Sequence, residues 1–307
     1  MTKASNTAPD LAERAGYLIE LAARAPSVHN TQPWRFAVTG QAIELYADTS
    51  RQLMEDPAGR EMIISCGAAL FGLRLAIRSL GCQPEVDLFP DPSHRHLLAR
   101  VRAGRPEPMM SDERAMLQAM PRRHTHRGAF EPGPLPGGLL AWLQDDATAE
   151  GATLAAIGGG PAYQQLTAIL AAWTRRRDLY PAHSFPAATG GVVGRLPQRD
   201  FDLGRGWGFP PPGGPPASVA AIMVTPGEDE QSWLCAGQAL QRILLRAASQ
   251  WVFARLQTQP LQSASVRAQI RSSLRATGSP QMLLELGVAR ITHPTARRAV
   301  GDLTVDG

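Results

Sequence analysis

Lysine is nearly absent from this chain. Lys3 is the only one, so 30 of the 31 basic residues are arginine. A Walker-type phosphate loop therefore has no lysine to use, and a Schiff-base enzyme would have to work from Lys3 in the N-terminal stretch. Asparagine is almost as scarce, at Asn6 and Asn30 only. The three cysteines, Cys66, Cys82 and Cys235, lack metal-knuckle or redox-pair spacing. That fits a reduced thiol set and a cytoplasmic protein. No run of about 18 apolar residues occurs, so no membrane span is expected. The first residues, "MTKASNTAPDLAERAGYLIE", offer no apolar core of a secretory signal.

What is there suits one large or two modest globular domains. Hydrophobic residues make up 44% of the 307, and the charged fraction of 19% is too low for a disordered chain. The net charge of +4 comes from dispersed arginines. No stretch interleaves them with stacking aromatics, so a nucleic-acid partner is not expected.

Periodicity gives an alternation of helices and strands. Leu11 to Arg24 is amphipathic, with Leu11, Ala15, Leu18 and Ala22 on one face, and Pro26 stops it. "WRFAVTGQAIELYAD" predicts a hairpin around Gly40. Ile63 to Leu80 and Ser232 to Gln250 are long apolar helices, and Ser111 to Met120 and Pro161 to Arg177 are further helices. Strands are predicted over His96 to Gly104, over "ATLAAIGGG", over Ser218 to Thr225 and over Pro280 to Ile291. The two long apolar helices resemble each other. At an offset of about 170, Gly67, Ala69, Leu70 and Leu75 match Gly237, Ala239, Leu240 and Leu245. The offset suggests a duplicated α+β unit of roughly 150 residues; chance agreement in a Leu/Ala-rich chain is the alternative. Residues 190–216 hold 8 glycines and 6 prolines together with Phe201, Trp207 and Phe209. A long loop of that kind reads as a lid over a site or as a connector.

Few residues suit acid–base or metal chemistry. His94-x-His96 and His124-x-His126 have no accompanying carboxylate or cysteine at metal-site spacing. Ser27 lies near His29 without a nucleophile elbow. "IGGGP", Ile157 to Pro161, joins a strand to a helix and lacks the dinucleotide fingerprint; it reads as a plain turn, with an anion site at the helix start as the alternative. "PRRHTHRGAF" is more specific. If it is extended, Arg123, Thr125 and Arg127 point to one side and present two forked guanidiniums and a hydroxyl, a set that suits a phosphate monoester. A solvated basic turn is the alternative. Arg297 and Arg298 in "TARRAV" form a second basic pair, and spacing does not say whether it meets the first.

"APSVHNTQPWRF", Ala25 to Phe36, resembles the A-P-S-x-x-N-x-Q-P-W-x-F signature of FMN-dependent nitroreductases. "RRHTHR" is similar to that family's R-x-S/T-x-R/K element, which holds the FMN phosphate and ribityl chain. "AGQALQRILLRAA" resembles its central helix, and "PQMLLELGVARITHPTARRAV" its closing strand and terminal arginines. In ordinary members the arginine element precedes the PSxxN element within each subunit of a homodimer. Here PSVHN comes first, and neither half carries both. That order resembles the single-chain, duplicated Acg-type branch, to which "DPAGREMIISCGAAL" is also similar.

The resemblance implies an α+β, nitroreductase-like fold of two tandem half-units that form an intramolecular pseudo-dimer. Residues 1–105 would be a degenerate half supplying PSVHN. Residues 106–307 would be the half with the FMN phosphate site and the lid 190–216. Arg123, His124, Thr125 and Arg127 would line the phosphate, ribityl and pyrimidine side, and Arg297 and Arg298 would complete the phosphate cage. Pro26, Ser27, Val28 and Asn30 would approach the isoalloxazine, with Gln32 and Trp34 packing that loop. Thr258 and Gln259 would lie near flavin N5. The chain departs from the family at Trp251, where glycine is common, and at Glu285, where arginine is common. The implied function is a hydride transfer from NADH or NADPH through FMN to a nitroaromatic, quinone or specialised metabolite. The flavin carries that chemistry, so no catalytic dyad is required. A storage protein holding FMN under a closed lid is the alternative. A monomer with a small-molecule partner is expected.

Overall fold

A computed structural model describes residues 9–179, 218–290 and 295–305. The Gly/Pro-rich segment expected to be a lid, 190–216, lies outside the described residues. The chain divides into two compact units. The first gathers residues 1–123, 229–250 and 297–307; the second gathers 124–228 and 251–296. This division follows contacts in space and cuts the chain differently from the tandem halves 1–105 and 106–307.

In the first unit, α1 (Leu11–Ala22) buries Leu11, Ala15, Leu18, Ile19 and Ala22, and Asp10 caps it by accepting from Ala12 N at 2.8 Å. The hairpin forms as expected from β1 (Trp34–Thr39) and β2 (Ala42–Ala47), with Gly40 at φ 58° in the turn. α2 (Arg60–Arg78) is buried on every side, with only Arg74 outside the buried set, as a helix at the centre of a core must be. β3 (Cys82–Leu88) and β4 (Leu97–Pro106) follow, then α3 (Ser111–Ala119). The sheet order is β3-β4-β2-β1-β9, where β9 (Thr304–Val305) is a two-residue strand from the C-terminal arm lying parallel to β1.

The second unit contains α4 (Leu139–Ala149), β5 (Thr153–Ala156), α5 (Pro161–Leu179) and β6 (Val219–Thr225). β7 (Val252–Leu256), α7 (Ala264–Ser273) and β8 (Ser279–Val288) complete it. Its sheet runs β5-β6-β8-β7. Read from the other edge, β7-β8-β6-β5 repeats the order β3-β4-β2-β1, and every one of these neighbours is antiparallel. The helix before β3 is α2, and the helix before β7 is α6 (Glu230–Ser249), which belongs to the first unit.

α6 packs on α2 at the two glycines that the sequence offset pairs. A Cβ on Gly67 would run into the Leu234 carbonyl oxygen and lie 3.0 Å from Gly237 Cα. A Cβ on Gly237 would run into the Ile64 carbonyl oxygen and lie 2.8 Å from Gly67 Cα. At the same offset Ile64 corresponds to Leu234. Each helix thus meets the other with equivalent residues, the signature of an isologous contact.

Five of these elements were not legible in the sequence pattern: β3, α4, β7, α7 and the two-residue β9. β3 is an edge strand whose register shifts at Pro84, and β7 has five residues. Both are short or interrupted signals.

Candidate functional site

The PSVHN loop leaves α1 through Ala23, whose amide donates to the Ile19 carbonyl, and turns at the buried Pro26. Ser27 is extended, and Val28–Asn30 form a single 3-10 turn closed by Thr31 N donating to Val28 O at 3.0 Å. Three non-glycine residues here have left-handed backbone: His29 at φ 52°, Asn30 at 57° and Gln32 at 49°. Such a conformation costs on the order of 1–3 kcal/mol for each residue and persists only where neighbours impose it. Ser27 Oγ accepts from Gln32 N at 2.9 Å, and Thr31 Oγ1 donates to Val28 O at 2.9 Å. Gln32 and Trp34 are fully buried beneath the turn.

Arginines from distant parts of the chain close on this loop. Arg123, at the end of the α3 turn, donates to Arg24 O at 3.2 Å. Arg297, on the C-terminal arm, donates to the same carbonyl at 3.1 Å, to Ala25 O at 3.1 Å and to Asn30 Oδ1 at 3.2 Å. The two basic clusters whose meeting could not be read from spacing therefore do converge, at Arg123 and Arg297. Arg298 faces the back of the loop. Its amide donates to Gln32 Oε1 at 2.9 Å, and its guanidinium donates to Gln32 O at 3.1 Å and to Asp302 O. The same guanidinium stands 3.8 Å from Asp48. Burial, together with Arg51 and Arg35 nearby, lowers the Arg298 pKa against the pull of Asp48.

The remaining predicted residues belong to the second unit. Thr125 forms an isolated parallel bridge to Ala254 on β7, and His126 N donates to Ala254 O at 2.9 Å. The strip is bridged to β7 at this one point. His124 packs 4.5 Å from the Phe253 ring, and His126 stacks 4.8 Å from Phe130. Arg127 is half-buried. Thr258 precedes a 3-10 turn (Gln259–Gln262), its carbonyl accepting from Leu261 N at 2.8 Å, and Gln259 is buried.

Both departures from the family pattern acquire a physical setting. Trp251 has φ 57°, the backbone region glycine enters without penalty, and its side chain is exposed. Glu285, buried on β8, sits opposite Arg255 on β7, whose Nη1 donates to Glu285 Oε2 at 2.5 Å. Ser218 Oγ donates to the other carboxylate oxygen at 2.8 Å. Arg255 also donates to Gly128 O at 2.7 Å and lies 5.4 Å over the Phe130 ring, so the pair holds the RRHTHRGAF strip on its sheet. Phe130 fits because position 287 is glycine: a Cβ there would lie 2.6 Å from Phe130 Cδ1.

Sequence reasoning missed Asp48 and Arg51. Arg51 donates to Thr31 O at 2.9 Å, and Asp48 stands behind it. No motif marks either residue; only the acid ending "LYAD" and the arginine three positions later could have drawn notice.

No protein-family model matches the chain. It is 34% identical over 325 residues to a Mycobacterium tuberculosis (strain H37Rv) protein named "Putative NAD(P)H nitroreductase Rv3131", with 96% of this chain and 92% of the relative covered. A second protein of that strain, named "Putative NAD(P)H nitroreductase acg", is 34% identical over 117 residues, 38% of this chain and 35% of the relative. Among solved structures, the FMN-dependent nitroreductase NfnB from Mycobacterium smegmatis in complex with NADPH aligns with a TM-score of 0.44 at 14% identity, covering 63% of this chain and 98% of its own. A Desulfitobacterium hafniense nitroreductase with bound FMN aligns at 0.41 and 14% identity, covering 65% and 100%. With a third of its residues shared along nearly the whole length of a curated relative, the chain belongs to the nitroreductase family.

Proposed function

We propose that this protein is an FMN-dependent oxidoreductase that takes electrons from NADH or NADPH and delivers them to a small acceptor such as a nitroaromatic or a quinone. The observation that carries the reading is the meeting of Arg123 and Arg297 on the Arg24 carbonyl beside the PSVHN loop. Two forked guanidiniums held together suit a dianionic phosphate, so the donor set fits FMN. From the sequence pattern, Thr125 and Arg127 are proposed to add a hydroxyl and a third guanidinium. Pro26, Ser27, Val28 and Asn30 belong to a loop whose His29, Asn30 and Gln32 are held in left-handed backbone, a fixed shape that suits close approach to a flat ring. His124, Thr258, Gln259 and Arg298 complete the proposed set, with Arg298 bracing the loop from behind. Bound FMN would supply hydride chemistry at its N5 atom, and the residues named here bind and orient it.

We also propose the tandem arrangement, a half of residues 1–105 and a half of 106–307. The repeated strand order and the equivalent Gly67 and Gly237 crossing support it. The test of function is the visible spectrum of the purified protein before and after anaerobic NADH or NADPH. A yellow protein that bleaches is expected. A colourless protein that takes up no FMN would overturn the reading, and an unreactive yellow one would point to storage.

A further inference from the structure

One buried carboxylate stands behind the strained loop. Asp48, at the end of β2, has a side chain only 4% exposed. Its Oδ1 accepts from Ser50 Oγ at 2.6 Å and its Oδ2 from Arg35 Nε at 2.9 Å. The same Oδ2 lies 3.7 Å from Arg51 Nε and 3.8 Å from Arg298 Nη1. Three guanidiniums thus share one acid.

Two of the three also reach the loop. Arg51 Nη1 donates to Thr31 O at 2.9 Å, and Arg298 Nη1 donates to Gln32 O at 3.1 Å. These carbonyls belong to the segment that carries the left-handed residues His29, Asn30 and Gln32. Arg35 differs: among the described residues its guanidinium bonds Asp48 and no loop carbonyl. Arg51 and Arg298 are mostly buried, at 12% and 5% side-chain exposure. Like charges in that setting repel strongly unless an opposite charge sits between them. Asp302 also acts on both cations, but Asp48 is the acid within 4 Å of each, so losing its charge favours their separation and the loss of the two carbonyls' donors.

We infer that Asp48 is a positioning residue for the flavin-facing loop: it holds Arg51 and Arg298 side by side, and through them fixes the Thr31 and Gln32 carbonyls and the left-handed turn before them. The inference rests on the flavin reading for what the loop meets, but not for how the loop is held.

Asp48→Asn keeps the shape and removes the charge. In the ligand-free protein, amides of residues 28–33 should exchange with deuterium about tenfold faster, while those of α2 and α6 keep their protection. In the same variant, FMN titrated against flavin fluorescence should bind about tenfold more weakly. Asp48→Glu, which restores the charge, should recover most of both. Asp112→Asn, which removes the acid from the separate 3.0 Å pair with Arg246, should change neither. Unchanged loop exchange in Asp48→Asn overturns the inference, and so does faster exchange spread equally over α2 and α6, since a general loss of stability gives that pattern. A loosened loop in a protein that binds no FMN before mutation sinks the flavin reading and leaves Asp48's role standing. Should Asp48→Asn fail to fold, Arg51→Gln removes only the Thr31 donor and one of the three cations; it must loosen the same amides, and no change there overturns the inference.

Discussion

Arg297 makes three bonds to the loop region, to Arg24 O, Ala25 O and Asn30 Oδ1. Replacing it with alanine removes a proposed phosphate donor and the loop's brace together. A hydrogen bond to a charged group contributes about 1.5–3 kcal/mol, so Arg297→Ala should weaken FMN binding by about tenfold or more. Arg105, an exposed arginine paired with Glu107, is the control and should leave binding unchanged when made alanine. Equal FMN affinity in the two variants would remove Arg297 from the site. Asp48 adds a pH dependence. Burial raises its pKa, but the hydrogen bonds from Ser50 and Arg35 and the charges of Arg35 and Arg298 outweigh that, and the folded value lies below the ordinary 3.8. A depressed carboxylate stabilises the fold at pH above its unfolded value and loses that contribution as pH falls through the folded one. Loop protection should therefore be flat from neutrality down to about pH 5 and collapse only below about pH 4. A loss centred near pH 6 would implicate a histidine instead. The arginines that meet the loop were legible because they stand in short, odd motifs. Asp48 was not, because an acid ending a strand is ordinary until its distant partners are seen.

At the scale of elements, the crossing of α2 and α6 tolerates no side chain at Gly67 or Gly237, where backbone atoms of the opposite helix occupy the space. A methyl at either position has to push two buried helices apart, so Gly67→Ala and Gly237→Ala should each destabilise by about 1–3 kcal/mol or more. Because the contacts are equivalent, the two losses should be alike in size. The double variant should cost less than their sum, since one displacement makes room for both methyls. Denaturant midpoints at constant slope measure this; a tolerated alanine at either glycine would contradict the packing. Gly287 is a second such place, where alanine should displace Phe130 from beneath Arg255 and loosen the RRHTHR strip. The sequence offset that pairs Gly67 with Gly237 suggested a duplication, against chance agreement, without saying that the paired residues touch. Periodicity found the long helices and the hairpin, where many residues repeat one pattern. It passed over β3, broken by Pro84, and β7, too short to show alternation.

For the whole molecule, the tandem reading makes a claim about number. The chain holds one PSVHN loop, bound by Arg123 and Arg297, and one RRHTHR strip, so one FMN per chain is expected. Two would require a second loop of the same kind. The corresponding stretch before β5, "DDATAEGA" (residues 145–152), has neither asparagine nor an arginine to answer it. The α2 and α6 faces that carry the paired glycines are already buried against each other within a single chain. A surface consumed in that way is not available to a second copy, and a closed two-fold contact has no free half left to recruit one. The protein should therefore run as a monomer in light scattering, at the mass of one chain over a wide range of concentration, with one FMN released per chain on denaturation. A concentration-independent dimer that loses its flavin on dilution into monomers would show that the two halves are completed by exchange between chains.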